Sequence, residues 1–419
     1  MHSSARALAL TALREWRTGE QFADAILARL LRSSDLNSPD RAFATELFYG
    51  VLRNLTLLDS WIAMLRSGHL DHDSRDLLRL GLYQLFLLQT PEHAAVYETV
   101  HLAGAKTRSL VNAVLRTALR RKEELLENTN RQDLNTRSSH PQFLIDRWIQ
   151  NFGAENTAAL CDWNNRPAPL YGRINRLKIS DEDFFASHPD TERSPRPENF
   201  VRLTTIPNDA LAVGHCYIQD PSTAAACVLL DPKPGETVLD ACAAPGGKTA
   251  YLAELMENQG FLMACDRDDG RIRTLQDNLE RLGVGIARFA RHDWTSGQPL
   301  PDAAAISPFD RILVDAPCSN TGVMRRRVDL RWRLTAKDFL RMREEQLRIL
   351  RAAIPLLRTG GALVYSTCSI EPEENEEVVQ AITQEFPFLK PAGQVSLLPF
   401  RDKFDGAYAA KFIREPQAR

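Results

Sequence analysis

The chain has 419 residues, of which 44% are hydrophobic and 25% charged, enough for two or three domains that each bury a core. No apolar run approaches the roughly 20 residues of a membrane span. Met1 to Arg17 scatters Arg6, Arg14, Glu15 and Arg17 among its apolar residues, unlike the unbroken core of a secretory signal, so a cytoplasmic location is expected. A net charge of −2 provides no global field for a polyanion, so any nucleic-acid site has to be a local basic patch. Seven cysteines without a C-x-x-C pair argue against a disulfide framework or a zinc site, and no metal is expected.

From Ser4, the spacing of Ala5, Leu8, Ala9, Ala12, Leu13 and Trp16 predicts one face of a helix capped by Ser4. Similar patterns recur to about residue 126. Leu77 to Leu88 is apolar nearly all round, as for a central helix, and Val111, Val114, Leu115, Ala118 and Leu119 form another stripe. Residues 1–127 are therefore read as an all-α domain. Residues 128–140 are polar with almost nothing to bury and read as a linker. Residues 141–235 mix a helix, short strand candidates and scattered prolines, a small α+β subdomain.

From residue 236 strands and helices alternate. Thr237–Asp240 leads into a glycine turn and a helix; Phe261–Cys265 ends at Asp266; Ile286–His292 ends at Asp293; Arg311–Val314 ends at Asp315. A helix from Thr335 to Leu357 precedes Ala362–Tyr365, which ends at Ser366-Thr367-Cys368. Such alternation implies a mostly parallel, Rossmann-like sheet over 236–419, with its ligands beyond the C-terminal strand ends.

The chemistry-bearing residues fall at that edge. Asp240-Ala241-Cys242-Ala243-Ala244-Pro245-Gly246-Gly247-Lys248-Thr249 joins a strand to a helix whose first N–H groups suit a carboxylate or phosphate. A P-loop would need glycine at position 242, where this chain has Cys242. Asp266 stands where an acidic residue accepts from a ribose diol, the alternative being a cap for the next helix; Asp293 is placed to reach an adenine. Cys318 and Cys368 each sit just past a strand. Free cysteine is commonly a buried hydrophobe, but two on one ligand edge suit nucleophilic chemistry. A thiolate adding to carbon 6 of cytosine makes carbon 5 able to take a methyl group. Lys248 offers the positive charge that favours a thiolate, and Asp315 a hydrogen bond to the base. Between Arg325 and Arg351 ten basic residues face four acidic ones. Past Thr335 these read equally as a paired, solvated helix face, whereas Arg325-Arg326-Arg327 has no nearby compensation and is the candidate RNA contact.

These residues closely resemble the bacterial RsmB (Sun/Fmu) family of ribosomal RNA 5-methylcytosine methyltransferases. The likeness extends to Asp40–Arg53, Leu77–Leu88 and Val111–Arg116, similar to a NusB-type RNA-binding domain, to Gln219-Asp220-Pro221, and to the closing segment Asp405–Phe412. The resemblance implies a NusB-like helical bundle, a small α+β subdomain and a class I methyltransferase domain. It implies that Cys242, Ala243, Ala244, Pro245, Gly246, Gly247, Lys248, Asp266, Asp293 and Asp315 contact S-adenosylmethionine or frame its pocket. It makes Cys368 the nucleophile and Cys318 the residue assisting release. The implied partner is small-subunit ribosomal RNA, met by a monomer. Asn320, where the family usually has glycine, and Val328, where it has proline, are departures in the RNA-facing loop. Transfer RNA as substrate, or an RNA-binding assembly factor without catalysis, are the competing expectations.

Overall fold

The computed structural model describes residues 4–195, 197–300 and 308–416, so Met1–Ser3 of the N-terminal segment lie outside the described residues. It divides into two compact units. One runs to Pro167 and includes Met324–Arg333; the other comprises Ala168–Val323 and the chain from Leu334 onward. Among the described residues no helix is long and apolar enough to cross a membrane.

The first unit is helical. Its opening helix, Ala5–Arg17, buries Ala5, Leu8, Ala9, Ala12 and Leu13, and Ser4 caps it by accepting from the Ala7 N–H. The all-round apolar stretch forms helix His72–Leu82, continued by a π-helical turn, Tyr83–Leu87. Helix Arg108–Arg120 packs so closely on it that a Cβ at Gly81 would lie 2.7 Å from the Leu115 side chain, which makes glycine a packing requirement there.

Residues 128–140 are not a linker. They complete helix Lys122–Arg131 and form the turn Leu134–Arg137, and Ser138, Ser139 and His140 are buried. Their polarity serves fixed partners: Thr129 Oγ1 accepts from Trp61 Nε1 at 2.9 Å and Ser139 Oγ from the Leu57 N–H at 3.0 Å. Helices Gln142–Phe152 and Ala154–Asn165 follow and also belong to this unit.

The second unit holds two sheets. Four short antiparallel strands, β1 (Leu170–Ile174), β2 (Glu192–Arg193), β3 (Phe200–Leu203) and β4 (Cys216–Ile218), lie in the order β2-β3-β1-β4. With helices Asp181–Ser187 and Asn208–Val213 they form the α+β element. Arg173 of β1 is buried, donates to Gln219 and Glu254, and lies 4.9 Å over the Tyr251 ring.

The larger sheet contains β5 (Thr237–Asp240), β6 (Phe261–Asp266), β7 (Ala287–Arg291), β8 (Phe309–Asp315), β9 (Leu357–Thr367), β10 (Leu389–Leu397) and β11 (Ala407–Arg414), in the order β10-β11-β9-β8-β5-β6-β7. β5 to β9 pair in parallel, and β11 runs antiparallel to both β9 and β10. The expected helix from Thr335 ends at Ala353, where Ile354–Leu356 tightens ahead of β9, because Pro355 cannot continue an α-helix. Strand order reverses between β5 and β8, where an open α/β sheet leaves a crevice at its C-terminal edge.

Candidate active site

Three strand ends meet the crevice on its β5–β7 side. Asp240 closes β5, fully buried; its Oδ2 accepts from Thr249 Oγ1 at 2.8 Å, and its Oδ1 has no hydrogen-bond partner among the described residues. Burial pushes this carboxyl up to about 7 despite the threonine. The following loop is held at its main chain: the Ala243 N–H donates to the Cys265 carbonyl at 2.8 Å, and the side chains of Trp294, Arg271 and Asn278 donate to the Ala241, Ala244 and Pro245 carbonyls at 2.7, 2.7 and 2.9 Å. Gly246 has φ +107° and no room for a Cβ against Leu275, so only glycine fits at the entry to helix Gly247–Leu255. The Cys242 thiol is raised well above the usual range, by burial first and then by Asp240, Asp315 and Asp266.

Asp266 ends β6 and is 4% exposed. The residue capping the next helix is Asp268, which accepts from the Arg271 N–H at 2.8 Å, so Asp266 is not that cap. Its Oδ1 receives the Asp268 N–H at 3.2 Å, and Arg271 stands 3.3 Å from Oδ2. Asp293 lies in the exposed turn after β7, where its Oδ1 accepts from Thr295 N and Oγ1 at 2.9 and 2.7 Å. Those bonds hold it below the ordinary carboxylate value.

On the β8–β9 side, Asp315 Oδ2 is 2.7 Å from Lys248 Nζ and Oδ1 accepts from Ser366 Oγ at 2.8 Å. Burial disfavours the Lys248 charge, but Asp315, with lesser help from Cys227 and Cys368, outweighs it and holds the lysine above its usual value. Cys318 and Cys368, both half-buried, place their sulfurs 3.3 Å apart. The Cys368 thiol also donates to Asn320 Oδ1 at 3.0 Å. Cys318 is raised well above the usual thiol range, by its hydrogen bond to Cys368 first and by burial second.

Beneath the sulfurs lies a buried network that the sequence did not disclose. Glu374 accepts from Ser319 N at 2.8 Å, from Ser369 Oγ at 2.7 Å, from Gln346 Nε2 at 3.0 Å, and from Ser319 Oγ. It therefore ties together the residues that follow the two cysteines. Its carboxyl is raised, burial outweighing these bonds. The loops also touch through backbone, the Gly322 N–H donating to the Cys368 carbonyl at 3.0 Å. A Cβ at Gly322 would lie 2.7 Å from that oxygen.

The structure thus brings Cys318, Cys368, Asp315 and Lys248 together, Lys248 lying in the first turn of helix Gly247–Leu255. It separates the arginine triplet. Arg325 is 3% exposed, its guanidinium 4.0 Å over the Trp163 ring; Arg326 is half-buried and Arg327 exposed. Arg325 is a packing residue of the helical unit, contrary to the expectation of an RNA-facing side chain. Nearby Arg331 is fully buried and donates to Asn165 Oδ1 at 2.7 Å, and burial lowers it to about 9.

Residues 227–413 match the family described as 16S rRNA methyltransferase RsmB/F, residues 3–120 the NusB family, and residues 140–193 the ferredoxin-like domain of RsmF/B-like methyltransferases. The ribosomal RNA small subunit methyltransferase B of Sodalis glossinidius is 36% identical, with 100% of this chain and 99% of the relative covered. That of Yersinia pseudotuberculosis (serotype O:1b) is 35% identical, with 98% of each covered. A solved methyltransferase homolog protein from Pyrococcus horikoshii is 31% identical with a TM-score of 0.60, covering 68% of this chain and 98% of its own.

Proposed function

Since the chain belongs to the RsmB/F family of 16S rRNA methyltransferases, we propose that it methylates carbon 5 of a cytosine in small-subunit ribosomal RNA, with S-adenosylmethionine as donor and Cys368 as nucleophile. The observation that carries this reading is the pair of thiols, 3.3 Å apart, beside the Lys248–Asp315 ion pair at the ends of adjacent parallel strands.

The pocket residues fit the donor. Asp240 presents a buried carboxylate oxygen without a partner among the described residues, Asp266 is a buried acceptor at the end of β6, and the glycine turn opens a helix N-terminus suited to a carboxylate. Cys242 to Lys248, Asp266, Asp293 and Asp315 would hold or frame it. S-adenosylmethionine supplies an electrophilic methyl group when bound.

Cys368 loses its proton to solvent, and its sulfur bonds to carbon 6 while the C5–C6 π pair moves to carbon 5. Asp315 accepts from the amino group of the base. Carbon 5 would then take the methyl group that the donor supplies, the bonding pair of the methyl–sulfonium bond remaining with the donor. Cys318 then removes the carbon 5 proton, the double bond re-forms, and Cys368 leaves as thiolate. At rest the Cys318 thiol is raised by its hydrogen bond to Cys368 and by burial, so Cys318 acts as base only after giving its own proton to solvent.

The test incubates folded Cys318→Ala and Cys368→Ala with RNA and S-adenosylmethionine. Cys318→Ala should accumulate a protein–RNA band that survives denaturing electrophoresis and collapses with nuclease. Cys368→Ala should give neither band nor methylation. The reverse pattern would exchange the roles, and no band in either would remove the covalent mechanism. Bisulfite sequencing of ribosomal and transfer RNA from a deletion strain checks the substrate: loss of a cytosine mark in transfer RNA alone would overturn it.

A further inference from the structure

Asn320 occupies the turn after Cys318 with φ +59°, a left-handed conformation that glycine adopts freely and asparagine tolerates better than most side chains. Backbone geometry alone would accept glycine there. Asparagine adds an amide that touches both cysteines: Nδ2 donates to the Cys318 carbonyl at 2.8 Å, and Oδ1 lies 3.0 Å from Cys368 Sγ.

The first contact fixes the second. A backbone carbonyl only accepts, so the NH₂ end must face Cys318 and the amide cannot be turned round without losing that bond. The oxygen is left facing Cys368, and only a protonated thiol has a hydrogen to give it. With the Cys368 hydrogen directed at Asn320, the hydrogen between the two sulfurs, 3.3 Å apart, is that of Cys318. Proton order along the chain of three is then set: Cys318 donates to Cys368, and Cys368 to Asn320.

We propose that Asn320 is a further catalytic residue of this chain, whose amide oxygen holds the nucleophile as a thiol, aimed away from Cys318, until the target base enters. This rests on the reading of Cys368 as nucleophile. Between turnovers the latch keeps a half-buried sulfur from reacting with small electrophiles, and it constrains when the thiolate forms rather than which bond it makes.

The test needs no RNA. Full-length protein is treated with iodoacetamide at neutral pH, and alkylation of the Cys368 peptide is followed by mass spectrometry. Asn320→Gly keeps the backbone conformation and removes the amide, so alkylation should quicken by about three- to tenfold, the worth of one hydrogen bond. A side chain that only shapes the turn leaves the rate of Asn320→Gly unchanged, because glycine adopts the same backbone conformation, and an unchanged or slowed rate overturns the proposal. Should Asn320→Gly fold poorly, Asn320→Ala, which also lacks the amide, decides in its place: no quickening sinks it. The adduct assay on Cys368→Ala tests the nucleophile separately, so the two readings fail in distinguishable ways.

Discussion

The loop after β5 and the loops after β8 and β9 share one sheet edge but are built by different means. The β5 loop is held through its main chain: the Ala243 N–H bonds the Cys265 carbonyl, the side chains of Trp294, Arg271 and Asn278 donate to the Ala241, Ala244 and Pro245 carbonyls, and Gly246 at φ +107° leads into a helix that starts at Gly247. The thiol loops are held by side chains distant in sequence, with Glu374 gripping Ser319 and Ser369 and Gln346 reaching both Glu374 and the Pro317 carbonyl. A loop held through its main chain tolerates change in its own side chains. A side-chain clamp fixes two sulfurs to within ångströms, and fails when one member goes.

The sharpest way to break this contrast is Glu374→Ala. It strips partners from three side chains and one backbone N–H in a buried site, and should cost about 3 to 5 kcal/mol in urea unfolding. In protein that remains folded, methyl transfer should fall by about 100-fold through misplacement of the thiols, while calorimetry finds the donor affinity nearly unchanged. Equal losses in both would mean that the two loops are one structure.

Asp240 probes the other side by pH. Its carboxyl rises from 3.8 to about 7 on folding, so between those values the folded state keeps a proton that the unfolded chain releases. The contribution to stability is full below about 4 and is lost as pH climbs to about 7, on the order of 4 kcal/mol in all. Asp240→Asn should flatten that fall in donor-free protein, measured by urea midpoints between pH 4 and 8. A wild-type slope in the variant would remove Asp240 as its source.

Asp266→Ala takes a buried acceptor from the same side, and should weaken S-adenosylmethionine binding by about 1.5 to 3 kcal/mol, roughly 10- to 150-fold. Calorimetry showing full affinity in a folded variant would refute the ribose assignment.

The contrast also explains what could be read from the chain alone. Asp240 to Thr249, Asp266 and the cysteines after β8 and β9 were legible because strand–turn–helix punctuation is local. Glu374 was not, because Glu371-Pro372-Glu373-Glu374-Asn375-Glu376-Glu377 looks like a solvated acidic run, yet Glu371, Glu374 and Asn375 are buried. Residues 128–140 behave in the same manner: their polarity reads as solvation, while Thr129 and Ser139 bond Trp61 and Leu57. β10 leaves no such signal, because its exposed edge carries little apolar alternation, with residues 390–394 all exposed.

The arginine triplet is a third instance, and its test has the smallest expected effect. Charge density marks all three side chains as one patch, but they stand in different surroundings. Arg325 lies over Trp163 in a buried setting, where a guanidinium on an indole face contributes packing as well as charge. Arg325→Ala should therefore lower stability by about 1 to 2 kcal/mol. Exposed Arg327 has no such packing to lose, and Arg327→Ala should leave urea unfolding within about 0.5 kcal/mol of wild type. If Arg327 meets phosphate, the same substitution should reduce the slope of log affinity against log salt by about 1 across unrelated RNA sequences. Filter binding at several salt concentrations, paired with urea unfolding, separates the two arginines: a stability loss for Arg327→Ala without a change of slope would make it a packing residue like its neighbour, and would leave the basic run without an RNA contact at that position.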